Sequence, residues 1–270
     1  MTDAHCHPWH LLEFQKNAEE ERRITGTAAA ASSWNLEQFE YHESLAKKAD
    51  SVPPLFCCFA LHPQLSPEFL DGSASVGFSL SAGLELLARL ATDGRLEAIG
   101  ETGFDLYNEE YRSAEKIQDE IFACHLETAL KYDLPMVLHV RRAMYKIFPF
   151  DKELKKLPAV VFHSWAGSRG EGEALLKRGI NAFFSFGSVV LKNHKEAIAC
   201  AAQFPAGRLL FETDAPYQPL KGKEFSSYKD LKEICSGIAA LRKDAGHSDE
   251  NPEELEAQVD SNFFSVFQKK

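Results

Sequence analysis

Short apolar runs alternate with longer stretches of helical periodicity along the whole chain. Eight of these runs are bounded by polar or turn residues, which is typical of buried parallel strands. They lie at Thr2–His5, Arg23–Ala30, Leu55–Leu61, Glu97–Gly100, Met136–Val140, Ala159–His163, Ala182–Phe186 and Arg208–Thr213. Between them, stretches such as residues 111–133 place apolar side chains near the spacing of an amphipathic helix.

Eight strands separated by helices predict parallel βα units, and eight is also the number of strands that closes a barrel. We therefore predict an α/β fold, a (β/α)8 TIM barrel formed by a single domain over residues 1–270. A doubly wound open sheet is the alternative. Residues 66–79, rich in Ser and Gly, are expected to form a long surface connection.

Two helical patterns follow the last predicted strand, at residues 229–243 and 251–267. The second begins with Asn251, a good N-cap residue, followed by Pro252 at the first helical position. We expect both to be extra C-terminal helices that cover the barrel.

The composition is that of a folded globular protein, with 44% hydrophobic and 26% charged residues. A net charge of −10 excludes a broad basic surface, so a polyanionic partner would have to be held by a few local cations or by metal ions. The six cysteines lack C-x-x-C spacing and are expected to be reduced core thiols. With no signal-peptide pattern and no apolar run of roughly 18 residues, we expect a cytoplasmic protein without a membrane partner.

Histidines and carboxylates stand where several predicted strands end, which is the rim that carries the chemistry of TIM-barrel enzymes. A single histidine at such a point is more often hydrogen-bonded scaffolding than a ligand, but so many at one rim favour metal binding. The residues are His5, His7, Glu101, His139, His163, Glu212 and Asp214.

The first strand carries two of these histidines and an acid. Because alternate side chains of a strand share a face, Asp3, His5 and His7 are expected to point to the same side. Asp3 and Glu212 are interpreted as buried structural acids that support the ligands and do not bind metal themselves.

Imidazole and carboxylate ligands suit Zn, Mn, Fe, Ni or Mg, and we favour Mg or Zn among them. Six ligands exceed what one catalytic ion takes from protein, since an open coordination position must remain. We therefore expect two divalent ions that share a carboxylate.

The ordered set of motifs "DAHCH", "ALHPQ", "GETGFD", "LHVRRA", "FHSWAGS" and "ETDAPY" resembles the TatD family of metal-dependent deoxyribonucleases, which belongs to the amidohydrolase-type barrels. The resemblance covers nearly the whole chain. It implies that His5, His7 and Asp214 hold one ion, that His139 and His163 hold the other, and that Glu101 bridges them. It also implies that His62 and Arg141 lie near the substrate phosphate.

The activity implied by the resemblance is hydrolysis of phosphodiester bonds, with 3′-to-5′ trimming of single-stranded DNA and no obligate protein partner. Asp214 and Glu101 would be the catalytic residues, with Asp214 accepting the proton of the attacking water. The alternative is a hydrolase of a small phosphoester, amide or lactone on the same metal pair. A non-catalytic metal-holding protein is disfavoured because none of the six ligands is missing.

Some positions depart from the family pattern. Thr102 stands where the family usually has an aliphatic residue, Phe104 stands where it has Leu, and residues 218–228 replace a segment that usually carries an arginine and Asn-x-Pro. Among neighbouring residues, Arg142 and Lys146 are candidate phosphate contacts. Trp9 and Trp165 could either stack on a nucleobase or pack at the barrel mouth.

Overall fold

Eight parallel β-strands form one sheet whose order follows the chain from first to last. The computed structural model describes residues 1–47, 53–72, 77–247 and 251–269. The strands are β1 Thr2–Cys6, β2 Ala28–Ser33, β3 Leu55–Phe59, β4 Ala98–Asp105, β5 Met136–Arg141, β6 Val160–Phe162, β7 Ala182–Phe186 and β8 Leu209–Phe211. This order excludes a doubly wound sheet and confirms the predicted (β/α)8 barrel.

Helices connect the strands and cover the barrel. They are α1 Pro8–Phe14, α2 Ala18–Thr25, α3 Leu36–Ala46, α4 Ser66–Asp71, α5 Leu80–Thr92, α6 Glu109–Ser113, α7 Glu115–Tyr132, α8 Met144–Ile147, α9 Asp151–Leu154, α10 Arg169–Lys177, α11 Lys195–Gln203, α12 Asp230–Asp244 and α13 Pro252–Phe267. The two C-terminal helices lie where they were predicted, and the Asn251 side chain caps α13 by accepting a hydrogen bond from the Glu254 amide. Among the described residues, no helix combines the length and the hydropathy that a membrane span needs.

The structure corrects three boundaries. The run Arg23–Ala30 is not one strand, because Arg23 lies in α2 and the strand begins at Ala28. Strand β4 continues past Gly100 to Asp105. Residues 66–79 are not a continuous loop, because 66–71 form α4 and residue 80 begins α5; residues 73–76 lie outside the described residues.

Two of the three buried apolar clusters among the described residues form the main layers of the barrel. The larger lies between the strands and the surrounding helices, and the smaller includes Ala28, Ala30 and Phe56 together with residues of α13. The ring of Phe56 packs 5.5 Å from that of Phe263, measured between centroids. Because β2 contributes alanines to the smaller layer, there is room for aromatic side chains from its neighbours and from α13.

The barrel closes where β1 meets the chain that follows β8. The amide of Asp214 donates to the carbonyl of His5 at 2.9 Å, and the amide of His7 donates to the carbonyl of Ala215 at 2.8 Å. The fully buried Asp3 carboxylate accepts hydrogen bonds from the Thr213 amide at 2.9 Å and from its hydroxyl at 2.6 Å. Burial nevertheless raises the pKa of Asp3 to about 7.

His5 and His7 converge on one site as expected, with their Nε2 atoms 3.1 Å apart, but the strand alternation from which this was predicted is not the reason. The pairing of β1 with β2 shifts between Asp3 and Cys6, so simple alternation fails there, and His7 lies beyond the strand as the N-cap of α1. A similar shift in β4 lies between Gly100 and Thr102, around Glu101. Bulges of this kind re-aim side chains beside active sites, and both shifts adjoin predicted ligands.

We expect Thr213→Val to destabilise the protein by about 1–3 kcal/mol, because it leaves a buried Asp3 oxygen without its hydroxyl donor. Urea unfolding followed by circular dichroism measures the change through the midpoint at constant slope. Thr102→Val is the matched control: Thr102 is also fully buried, but its hydroxyl has no hydrogen-bond partner among the described residues. Equal losses for the two variants would contradict this role of Thr213.

Candidate metal centre

The Glu101 carboxylate lies at the centre of the rim, with its two oxygens facing different histidines. Its Oε2 atom lies 3.0 Å from Nε2 of His5 and 3.7 Å from Nε2 of His7. Those two nitrogens are 3.1 Å apart, and Oδ1 of Asp214 lies 3.5 Å from His7 and 3.7 Å from His5. His5, His7 and Asp214 therefore converge on one side of Glu101.

The other oxygen of Glu101, Oε1, faces the opposite side of the rim. It lies 2.7 Å from Nδ1 of His139 and 2.7 Å from Nε2 of His163, and these nitrogens are 3.2 Å apart. The structure thus brings together all six predicted ligands. The two Glu101 oxygens face the two sets of histidines that the sequence resemblance implies, although the ligand atoms of His5 and His163 also lie within 4.8 Å of each other.

Polar groups outside this cluster orient its histidines. Nε2 of His139 lies 3.1 Å from Oδ2 of Asp105, and Nδ1 lies 2.7 Å from Oε1 of Glu101, so both ring nitrogens face carboxylate acceptors. Burial lowers the pKa of His139, but these two hydrogen bonds more than reverse this. Nδ1 of His163 lies 3.5 Å from the buried Glu212, and Nδ1 of His5 lies 3.2 Å from the Ser32 hydroxyl. Such outer partners fix the tautomer and the ring orientation of histidine ligands. Asp105 was not predicted, although it closes the "GETGFD" motif.

His62 contacts the same Glu101 oxygen, with its Nε2 atom 3.1 Å from Oε1. The other ring nitrogen, Nδ1, accepts the amide hydrogen of Gln64 at 3.1 Å. A neutral His62 therefore carries its proton on Nε2 and donates it toward Glu101. This tautomer makes His62 a hydrogen-bond donor at the rim, and its predicted contact with the substrate phosphate stays a prediction.

Asp214 is held by a residue of the atypical segment 218–228. The Gln218 amide donates to Oδ2 of Asp214 at 2.7 Å and to the Ser164 hydroxyl at 2.9 Å. The Ser164 backbone amide in turn donates to Oε1 of Glu212 at 2.8 Å. Gln218 therefore directs Oδ1 of Asp214 toward His5 and His7, and it was missed because no motif marks it.

The electrostatics of the cluster favour the ligand protonation state for Glu101 and His5, whereas His163 would have to release a proton to bind a cation. Burial raises the pKa of Glu101, but His163, His62 and His5 outweigh burial and hold it well below its usual range. Burial lowers the pKa of His163, but Glu101 and Glu212 more than reverse this. For His5, burial and the nearby His163 both lower the pKa. Glu101 is therefore ionised and His5 is neutral, as ligands of a cation must be.

Two glycines set the approach of β4 to β5 around Glu101. A Cβ atom on Gly100 would lie 2.5 Å from that of Val137, and a Cβ on Gly103 would collide with the His139 carbonyl. Gly103 also has a φ of 134°, a conformation that other residues rarely adopt. The close spacing of Glu101 and His139 therefore depends on side chains being absent at both positions.

The cluster opens into a cavity of about 590 Å³. Arg141 lines it, with its guanidinium 3.7 Å from the centre of the Tyr107 ring, and so does Lys192, which the sequence interpretation missed. Arg142 is not among the residues that line the cavity, and its guanidinium lies 4.6 Å from the centre of the same Tyr107 ring. Lys146 is engaged elsewhere, at 2.7 Å from both Glu115 and Asp119.

Neither tryptophan that the sequence singled out lines this cavity. Trp165 is 2% exposed and packs between Phe162 and Phe184. Of the two alternatives for this residue, packing is therefore correct and base stacking is not. Trp9 packs edge-on against Tyr41. A third tryptophan, Trp34, does line the cavity. No sequence pattern indicated this position, because Trp34 follows a strand of small residues and belongs to no motif.

These residues fit divalent metal ions. Three groups each place their ligand atoms within 4.8 Å of one another: His5 with Glu101 and His163, His5 with His7 and Asp214, and His62 with Glu101 and His139. A mixed set of imidazole nitrogens and carboxylate oxygens is the chemistry that Zn, Mn, Fe, Ni and related ions prefer.

Comparison with known proteins agrees with this chemistry. A family described as TatD related DNase matches residues 2–268. A Pantoea ananatis protein named 3'-5' ssDNA/RNA exonuclease TatD is 32% identical over 248 residues, covering 90% of this chain and 86% of its own. A Mycoplasma pneumoniae protein described as an uncharacterized metal-dependent hydrolase is 32% identical over 235 residues, covering 82% and 84% respectively.

The fold is shared with solved structures. The crystal structure of YjjV, a TatD homologue from Escherichia coli K12, superposes with a TM-score of 0.81 at 23% identity, covering 100% of this chain and 98% of that one. A TatD family hydrolase from Entamoeba histolytica superposes with a TM-score of 0.78 at 18% identity, with the same coverage. These similarities bear on the barrel architecture.

We expect Asp105→Asn to weaken metal affinity by about 10- to 100-fold. Oδ2 of Asp105 faces donors from His139 and Gln64, while Oδ1 faces the Tyr107 amide, so an asparagine NH2 group would oppose a donor in either orientation. Calorimetric titration of chelator-treated protein with Mn²⁺ or Zn²⁺ measures the affinity.

The matched control for this substitution is Asp151→Asn. Asp151 pairs with the exposed Arg178 at 2.6 Å and does not line the cavity, so metal affinity should stay at the wild-type value. Wild-type affinity in Asp105→Asn would show that the outer carboxylate does not orient His139.

Proposed function

The chain belongs to the TatD-related DNase family of metal-dependent hydrolases, and we propose that it removes nucleotides from the 3′ end of single-stranded DNA. The proposal includes two divalent ions. His5, His7 and Asp214 would hold one, His139 and His163 would hold the other, and Glu101 would contribute to both.

The observation that carries this proposal is the division of Glu101 between two groups of ligands. Oε2 faces His5 and His7, and Oε1 faces His139 and His163, all within 3.7 Å. A bridging carboxylate needs this arrangement, in which each oxygen serves a different ion. Paired ions suit phosphodiester hydrolysis because both the attacking and the leaving oxygens must be stabilised.

When bound, the ions would lower the pKa of water and stabilise the negative charge that develops on the phosphate. The protein's own contribution begins with Asp214, which accepts the proton of the attacking water. Gln218 holds Oδ2 of this carboxylate, so Oδ1 faces the reaction. Arg141 lines the cavity as a donor for the phosphate oxygens. His62 lines it too, but its single N–H is directed at Glu101 in this structure, so donation to the phosphate would require this proton to turn away from Glu101.

The charge of the protein supports capture of a strand end. With a net charge of −10, the protein cannot neutralise a long run of phosphates. In the described part of the chain, the lysine and arginine side chains that line the cavity are those of Arg141 and Lys192. Few phosphates are therefore engaged, as expected for an enzyme that takes one nucleotide at a time from a terminus.

A hydrolase of a small phosphoester is the second candidate, because a cavity of about 590 Å³ lies in the size range of small-molecule sites. A substrate panel distinguishes the two. Single-stranded DNA, duplex DNA, RNA and simple phosphodiesters are assayed with several divalent ions, and a nuclease should prefer an oligonucleotide over every simple ester.

We expect Asp214→Asn to lower kcat by at least about 10²–10⁴-fold, because the amide cannot accept the proton of the water. Weaker metal binding adds to the loss, so the assay is run at saturating metal. Circular dichroism checks that the barrel remains folded. Asp133→Asn, at the C-cap of α7, is the matched control and should retain wild-type turnover. Near wild-type turnover in Asp214→Asn would contradict the assignment.

We expect linear single-stranded DNA to be shortened from its 3′ end, and closed circular single strands of the same sequence to resist cleavage. Gel analysis of 5′-labelled substrate would give a ladder descending by single nucleotides. Rapid cleavage of the circle would reject the strand-end proposal.

Salt dependence measures the number of phosphates engaged in this complex. For about three contacts with a non-cleavable strand, the logarithm of the binding constant should fall with log salt at a slope of about −2. A slope steeper than about −5 would indicate an extended basic track.

A further inference from the structure

A pair of stacked rings stands beside the metal centre and belongs to none of its proposed ligands. The rings of Trp34 and His10 lie 4.4 Å apart between centroids and are inclined by 30°. His7, a proposed ligand, lies 6.4 Å from Trp34 and 5.7 Å from His10. Tyr217, which is 46% exposed, lies 5.3 Å from His7 and 6.0 Å from His10.

The buried Gln38 side chain holds this pair of rings in place. Its Oε1 accepts the backbone N–H of Trp34 at 3.0 Å, and its Nε2 donates to Nε2 of His10 at 3.2 Å. The Gln38 backbone is fixed in turn by the Asn35 side chain, which caps α3. The relative orientation of the two rings is therefore set by the protein before any ligand arrives.

The position of Trp34 distinguishes it from the other two tryptophans. Trp165 lies in the apolar core, and Trp9 packs against Tyr41 without lining the cavity. Trp34 is partly exposed and lines the same cavity as His7, Glu101 and Arg141. Its ring contacts in the described part of the chain are with His7 and His10.

The barrel topology places the aromatic rings across the centre from the cationic side. Trp34 follows β2 and His10 follows β1, whereas Arg141 ends β5. In an eight-stranded barrel, β1 and β5 lie on opposite sides. Glu101 lies between them and contacts both His7 and His139. A substrate phosphate at the centre would thus have aromatic rings on one side and a guanidinium on the other.

We propose that Trp34, backed by His10 and flanked by Tyr217, stacks on a nucleobase next to the scissile phosphate. This inference rests on the proposed nuclease function and adds a base-recognition subsite to it. Because every base has a π-face, stacking would accept all four bases while favouring nucleotides over simple phosphodiesters.

The experiment compares a short oligothymidylate with versions that carry an abasic tetrahydrofuran nucleotide at the last or the next-to-last position. Stacking on an aromatic side chain contributes a factor of about 10 or more per base. We expect wild-type kcat/KM to fall by about that factor at one of the two abasic positions. In Trp34→Leu, the intact strand should lose the same factor, and the abasic strand should lose no more. Trp34→Phe should retain most of the discrimination.

Two controls separate stacking from a structural role. Trp9→Leu removes a tryptophan that does not line the cavity and should keep the wild-type ratio between intact and abasic strands. A strand with abasic nucleotides at both positions has no ring to stack there, so Trp34→Leu should cause no further loss of activity on it. Thymidine 5′-monophosphate should bind the wild type more tightly than deoxyribose 5-phosphate does, by calorimetry, and Trp34→Leu should reduce this difference.

Wild-type discrimination in Trp34→Leu, or an equal loss of activity toward the strand with abasic nucleotides at both positions, would overturn the stacking role while leaving the nuclease proposal intact. Hydrolysis of methyl p-nitrophenyl phosphate without cleavage of any oligonucleotide would instead overturn the nuclease proposal, and the base subsite with it.

Discussion

The junction between β1 and the chain after β8 is the constraint on which the rest of the structure depends. The buried Asp3 carboxylate joins the Thr213 amide and hydroxyl across 210 residues of sequence. Backbone hydrogen bonds to either side connect His5 with Asp214 and His7 with Ala215. The same contacts that close the barrel therefore bring two histidines from the start of the chain against a carboxylate from near its end. The hydrogen bonds that close the barrel are therefore the same ones that assemble the side of the centre formed by His5, His7 and Asp214.

The carboxylates around the centre have different tasks, and their surroundings assign them. Glu101 meets histidines with both oxygens, so burial does not neutralise it. Asp105 and Glu212 lie behind His139 and His163, where a carboxylate orients an imidazole and strengthens it as a ligand. Asp3 faces hydroxyl and amide donors and no cation, so burial dominates and its pKa rises. Similar side chains thus contact several histidines, orient a single histidine or close the barrel, according to what each one faces.

The sequence predicted the barrel because alternating strand and helix patterns persist along the whole chain. It also predicted the residues of the centre, because each follows an apolar run and belongs to a short motif. It failed where backbone irregularity or tertiary packing decides the outcome. The register shift beside His5 broke the expected alternation, and α2 took Arg23 from a predicted strand. Gln218 and Trp34 were missed because their positions depend on loops whose course no periodicity reveals.

Gly100 and Gly103 have a consequence for how this protein can evolve. They carry no chemistry, yet the approach of β4 to β5 beside Glu101 requires both to lack a side chain. The distance from Glu101 to His139 is therefore set by the backbone, because a side chain at either glycine would push β4 away from β5. The rim segment that carries Trp34 has no comparable glycine contact among the described residues. New substrate preferences can arise there by ordinary mutation, while the geometry of the centre passes unchanged from one descendant to the next.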